Sequence, residues 1–269
     1  MRRRSFLLVL MIIILALPAW AQPRLRLATT TSTENSGLLK VLLPPFEKMQ
    51  GVKVDVISVG TGKALKLGQR CDVDVVMVHA PALEKKFVAQ GYGVKRHRLM
   101  HNFFVIVGPA QDPAGVKKAP DAAEAFRRIP HSGATFVSRG DNSGTHVKER
   151  SLWKAAGIEP AWPGYKEAGQ GMGAVLTMAG QLGAYTLSDS GTFLKYKSVG
   201  RLPLVILYSQ DQRLKNPYSV IMVNPKRCPQ VKAKLVRAFI DYLVSPQGQK
   251  IIEDYRAAGR QLFWPDAIK

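Results

Sequence analysis

Residues 25–37 read Leu-Arg-Leu-Ala-Thr-Thr-Thr-Ser-Thr-Glu-Asn-Ser-Gly. A short β-rich run over 25–29 gives way to hydroxyl residues, and then to helix-like apolar spacing over Leu38–Gln50. The same order returns along the chain. Val52–Val59 leads into Gly60-Thr61-Gly62, then Lys63-Ala64-Leu65. Ala134–Ser138 leads into Arg139-Gly140-Asp141-Asn142-Ser143-Gly144-Thr145. Gly169-Gln170-Gly171-Met172-Gly173 precedes Ala174-Val175-Leu176. Such alternation predicts an α/β protein with largely parallel sheets. Further strands are expected at Val73–His79, Phe103–Gly108, Gly183–Leu187, Leu202–Tyr208 and Tyr218–Asn224. Helices are expected over Pro81–Gln90, His146–Ala156, Gly173–Leu182 and Val231–Val244, and no internal repeat is present.

The turns carry the chemistry. A strand-to-helix turn exposes backbone N–H groups at the positive end of a helix, where anions are stabilised. In α/β sheets these turns lie at the carboxyl ends of the strands, where ligands bind. Hydroxyls add neutral donors, and Arg139 adds a charged planar fork. A single Gly/Ser/Thr turn usually does no more than cap its helix. Four of them, two in each half of the chain, describe a cage for a small oxyanion. Gly60-Thr61-Gly62-Lys63 lacks the wider spacing of a nucleotide-phosphate loop.

The N-terminus sets the compartment. Arg2, Arg3 and Arg4 precede an apolar run from Phe6 to Leu17, and Ala19-Trp20-Ala21 offers a cleavage site before Gln22. This is the layout of a cleavable signal peptide, 1–21, and an exported, periplasmic protein. The 269 residues carry 39 Lys+Arg against 19 Asp+Glu, a formal charge of +20. Cleavage removes three arginines and leaves +17. Export takes the chain away from nucleic acid, and the basic residues are spread rather than gathered in a tail. Cys71 and Cys228 are the only cysteines. In an oxidising compartment they either pair or remain two partly buried thiols.

Catalytic patterns are weak. His79, His97, His101, His131 and His146 show no metal-ligand spacing, and no G-x-S-x-G elbow exists. His146 is the best general-base candidate, and the bland reading of a helix-start histidine is preferred. His79 reads as a packed turn residue. No enzyme activity, cofactor or metal is expected.

At these turns the chain resembles the periplasmic tungstate-binding proteins of ABC importers, the TupA type. The resemblance rests on LATTTSTENSGLLKVLLPPFEK (27–48), VGTGKAL (59–65), VSRGDNSGTHVKERSLW (137–153), YKEAGQGMGAVL (165–176), GAYTLSDSGTFL (183–194) and NPYSVIMVNP (216–225). It implies a two-lobed type II periplasmic binding protein fold, each lobe a mostly parallel sheet flanked by helices. Lobe one would comprise 22–102 plus 209–269, and lobe two 103–208. The implied function is capture of tungstate in the interlobe cleft and delivery to an importer permease, by a monomer. Another tetrahedral oxyanion (molybdate, phosphate or sulfate) is the alternative. The implied contacts are Thr30, Thr31, Ser32 and Thr61 from one lobe, and Arg139, Ser143, Gly144 and Thr145 from the other. Two positions depart from the family pattern: Phe103 follows Asn102 where Asp is expected, and Ser190 follows Asp189 where a basic residue is expected. Asp141 bears on selectivity. Facing the anion it would reward protonated phosphate; clamping Arg139 it would favour fully deprotonated dianions, and the resemblance favours the clamp.

Overall fold

The computed structural model describes residues 22–200, 202–209, 211–257 and 259–267, so the expected signal peptide 1–21 lies outside the described residues. The chain runs β1 (Arg24–Thr30), α1 (Thr31–Ser36), α2 (Leu39–Gln50), β2 (Lys53–Val59), α3 (Thr61–Gln69), β3 (Val75–Val78), α4 (Pro81–Ala89) and a long β4 (Gly93–Pro109). It continues through α5 (Ala122–His131), β5 (Phe136–Ser138), α6 (Gly144–Ala156), β6 (Tyr165–Glu167), α7 (Met172–Leu182), β7 (Thr186–Asp189) and α8 (Ser190–Ser198). It then adds β8 (Leu204–Tyr208), β9 (Lys215–Val223), α9 (Ala233–Val244) and α10 (Pro246–Asp254). Among the described residues no helix is long and apolar enough to cross a membrane.

β1 pairs in parallel with β2 on one side and β3 on the other. It is buried on both faces, with Leu25, Leu27, Ala28 and Thr29 all shielded, as a central parallel strand covered by helices must be. β3 pairs antiparallel with β9, and β9 with β4. Among the described residues the parallel pairing expected from the sequence is found in β2–β1–β3, in β5–β6 and in the bridge Phe136↔Tyr185. The sheet as a whole is mixed, because the chain leaves on β4 and returns on β9, so these two crossovers must run in opposite directions.

β4 belongs to both halves of the molecule. Its first part pairs with β9, from Gly93↔Val223 to Phe103↔Lys215. From Phe104 onward it pairs with β7 and β8 instead. The sequence reading placed a strand only at Phe103–Gly108. Lys95, Arg96, His97 and Arg98 disguise the earlier part; Arg96 is held there by buried Glu84 at 2.5 Å.

Apolar side chains gather accordingly. One core joins Leu25, Phe46, Val75, Phe87, Tyr218 and Phe239. A second joins Phe126, Phe136, Trp153 and Tyr185, and a third Val137, Val175, Leu176 and Phe193. The sulfurs of Cys71 and Cys228 form a disulfide, their Cα atoms 5.4 Å apart. It ties the end of α3 to the segment after β9, settling the choice that the sequence left open.

Candidate functional site

Each of the quoted turns ends at the start of a helix. At β1–α1, Thr30 Oγ1 accepts the Thr33 amide at 3.2 Å and lies 2.7 Å from Thr33 Oγ1 and 3.2 Å from Ser32 Oγ. Thr30 is thus a helix cap, as a hydroxyl at this position favours. At β2–α3, Gly60 caps without a side chain and Thr61 opens the helix, fully buried.

The β5–α6 turn is the most constrained. Gly140 and Asn142 take left-handed backbone, with φ of 60° and 55°. A Cβ at Gly140 would stand 2.9 Å from Glu167 Cβ, so both conformation and space demand glycine there. Ser143 Oγ accepts the His146 amide at 3.3 Å, capping α6. The Asn142 amide donates to His146 Nδ1 at 3.0 Å. His146 thereby pins the turn, which leaves that nitrogen engaged rather than poised as a base.

Behind the turn sits Glu149, buried on α6. Ser138 Oγ, Tyr165 Oη and Trp153 Nε1 donate to its carboxylate at 2.9, 2.9 and 3.1 Å. The Gly140 amide in turn donates to Ser138 Oγ at 3.2 Å. Burial pushes the Glu149 pKa up to about 7, against the pull of these donors.

The turns from the two halves face each other. A Cβ at Gly60 would lie 3.7 Å from Asp141 Oδ2 and 3.8 Å from Ser143 Cβ; one at Gly62 would lie 3.6 Å from the Asn142 carbonyl. One at Gly144 would lie 3.2 Å from Thr61 Oγ1. Between them is a cavity of about 290 Å³ lined by Thr31, Ser58, Gly60, Lys63, Arg139, Asp141 and the Gly169-Gln170-Gly171 turn. A larger groove of about 740 Å³ runs along α6 past Arg150 and Lys154 and does not reach these turns.

Asp141 takes the clamp orientation. Its Oδ2 accepts from Arg139 at 2.5 Å and its Oδ1 from the Ser143 amide at 3.1 Å. Arg139 is only 3% exposed. Its Nε, together with Thr31 Oγ1, Thr61 Oγ1 and Thr145 Oγ1, is buried without a hydrogen-bond partner in the protein. Leaving a buried polar group unpaired costs about 1–3 kcal/mol. Four such atoms gathered on three facing turns are costly unless a ligand accepts from them.

The structure therefore sorts the expected contacts. Thr31, Thr61, Arg139 and Thr145 present unpartnered polar atoms. Ser143 caps α6, whose opening Gly144 amide is one that no helix satisfies internally. Thr30 and Ser32 are bonded inward, Ser32 Oγ lying 3.3 Å from His79 Nε2. His79, read from the sequence as a packed turn residue, is buried at this same edge; its bonds to Ser32 and Asn216 were not foreseen. Sequence reasoning missed Asp189, which caps α8 by accepting the Thr192 amide at 2.9 Å; burial raises its pKa. Among the described residues no group of three His, Cys, Asp or Glu is disposed to hold a metal ion.

A profile of the PBP superfamily domain matches residues 18–247. The chain is 44% identical to the tungstate-binding protein TupA of Peptoclostridium acidaminophilum, over 90% of this chain and 86% of that protein. It is 40% identical to TupA of Campylobacter jejuni, over 88% of each. Two solved structures are also similar. One, described as the tungstate ABC transporter from Geobacter sulfurreducens, is 59% identical with a TM-score of 0.80, covering 86% of this chain and 98% of that one. The other, TupA from Desulfovibrio alaskensis G20, is 50% identical with a TM-score of 0.78, covering 91% and 100%. With its type II periplasmic binding fold, the chain belongs to the PBP superfamily and, within it, to the TupA family of substrate-binding transport proteins.

Proposed function

We propose that the protein is a periplasmic receptor that captures tungstate between two lobes and delivers it to the permease of an ABC importer. The observation that carries this reading is that Thr31 Oγ1, Thr61 Oγ1, Thr145 Oγ1 and Arg139 Nε, on three facing turns, are all buried and without a protein partner, with Thr31 and Arg139 lining the cavity itself. A tetrahedral dianion offers acceptors on every side, which is what such a donor set requires. Thr31, Thr61, Thr145 and Arg139 donate to it directly. Ser143 and the Gly144 amide complete the set from α6, while Thr30 and Ser32 brace Thr31 from behind. The lobes are 22–102 plus 209–269 and 103–208, in keeping with the change of partners along β4 at Phe103/Phe104.

Both carboxylate oxygens of Asp141 are engaged, by Arg139 and by the Ser143 amide. Asp141 therefore does not reward the proton that phosphate carries, and fully deprotonated anions gain. Closure around the anion biases an open–closed equilibrium and presents both lobes to the permease. The receptor works as a monomer, catalyses no reaction and needs no cofactor; the tungsten arrives as an oxyanion.

Arg139→Ala tests the assignment. It removes charge-assisted bonds worth about 1.5–3 kcal/mol each and leaves Asp141 without its cation beside a dianion. Calorimetry is expected to show tungstate affinity reduced at least a hundredfold, and unchanged affinity would sink the assignment.

A further inference from the structure

The function proposed above leaves His79 unused, yet its ring meets residues from both halves of the molecule. Nε2 lies 3.3 Å from Ser32 Oγ, in the first anion turn. Nδ1 lies 2.9 Å from Asn216 Oδ1 on β9. Asn216 Nδ2 donates to Asn102 Oδ1 at 2.7 Å. Asn102 and Asn216 are register partners across the β4–β9 ladder, where the two crossovers run side by side. The ring stacks on Tyr218 with centroids 4.6 Å apart and planes 25° from parallel. From the opposite half comes Gly144, where a Cβ would stand 2.7 Å from His79 Cε1.

Counting hydrogens gives this chain a direction. Asn216 Nδ2 faces Asn102 Oδ1 and, at 3.3 Å, Tyr218 Oη, so Asn216 turns its oxygen to the imidazole. In this orientation Nδ1 carries the ring proton. Burial, with a smaller contribution from the Arg139 charge, holds the His79 pKa down to about 4 against the Asn216 bond, so the ring is neutral near pH 7. A neutral ring protonated at Nδ1 has a bare Nε2, which accepts the Ser32 hydroxyl proton. Ser32 is thereby tied through one imidazole to both crossover strands.

We propose that His79 is a positioning residue that couples anion capture to the crossover strands. It fixes Ser32 behind Thr31, braces the Asn102–Asn216 pair about which the lobes turn, and receives the start of α6 when the cleft shuts. Its bonds to Ser32 and Asn216 lie within or beside the first lobe, whereas Gly144 reaches it from the other half, so an opening cleft would break that contact. A contact made in one state alone shifts the equilibrium toward that state. This role deepens the receptor reading and rests on it.

His79→Phe keeps a ring to stack on Tyr218 and removes both nitrogens. Three measurements on the variant and the unmodified chain test the role: melting temperature without ligand, tungstate affinity by calorimetry, and the change in radius of gyration on adding tungstate. The expected result is affinity at least tenfold weaker and reduced compaction, with a melting temperature within a few degrees. A variant that binds and compacts like the unmodified chain would overturn the role. Should His79→Phe fail to fold, Asn102→Ser serves, since Asn102 does not line the cavity; unchanged affinity and compaction there would also overturn it. Nitrogen-15 spectra of the unmodified chain add a further check. They should show His79 protonated at Nδ1 with resonances that move on tungstate addition, and resonances that stay fixed would contradict the coupling. If the unmodified chain itself ignores tungstate, the receptor reading fails; if it binds and the variants match it, only the His79 role fails.

Discussion

Gly144→Ala is the smallest change that should cripple capture while sparing the fold. The added methyl would stand 2.7 Å from His79 Cε1, 2.9 Å from its Nδ1 and 3.2 Å from Thr61 Oγ1. Ordinary contact needs about 3.4 Å or more, so the ring would have to retreat by about 0.7 Å. Its stack on Tyr218 and its bond to Asn216 oppose that retreat. Overpacking of this kind costs about 1–3 kcal/mol. The strain arises where the halves meet, so an opening cleft relieves it and the cost falls on the closed, anion-holding form. Tungstate affinity should drop by about 5- to 150-fold, read by calorimetry, with the ligand-free melting temperature nearly unchanged. Affinity within twofold of the unmodified chain would refute the reasoning. An equal loss in ligand-free stability would show that the contact belongs to folding rather than closure.

Other outcomes follow from the same geometry. Thr61→Val and Thr145→Val each delete one buried donor and should each weaken tungstate about 10- to 150-fold, measured by the same titration. His79 and Glu149 make opposed contributions to the pH dependence of stability. His79 is held near pKa 4 from 6.5, so the unfolded chain binds the extra proton and stability falls as pH drops from 6.5 toward 4. Glu149 is raised to about 7 from 4.5, so the folded chain binds the proton and stability rises as pH drops from 7 toward 4.5. Each is worth about 3 kcal/mol in full, and they largely cancel between. Urea denaturation of Glu149→Gln should therefore lose about 2 kcal/mol more than the unmodified chain between pH 6.5 and 5; equal slopes would contradict this. Reducing the Cys71–Cys228 disulfide, which spans 157 positions, removes up to about 5 kcal/mol by the chain-entropy argument. The melting temperature with dithiothreitol should fall by more than 5 °C.

What the sequence displayed was local chemistry. The turns at Thr30–Thr33, Gly60–Gly62 and Arg139–Thr145 were legible because glycine, hydroxyls and caps act within a few residues of themselves. The structure brings all three to one cavity edge. Long-range geometry was not legible. Nothing in Lys95–Arg98 announces a strand, because its partner β9 lies more than a hundred residues away. Nor does His79 announce its partners, since Ser32 and Asn216 reach it only once β1, β3 and β9 are side by side. The orientation of Asp141 depended on Gly140 and Asn142 both adopting left-handed backbone. The two departures from the family pattern fall outside the cavity lining: Phe103 follows a buried Asn102 that bonds Asn216, and Ser190 opens α8.

The most direct test of the central claim is a calorimetric titration of the purified chain against tungstate, molybdate, sulfate and phosphate, in low and high salt. One tungstate should bind per chain, tightly and with little salt dependence, because few of the donors holding the anion are charged. Phosphate, whose proton finds no free acceptor at Asp141, should bind far more weakly. Saturation by phosphate with no response to tungstate would contradict that claim.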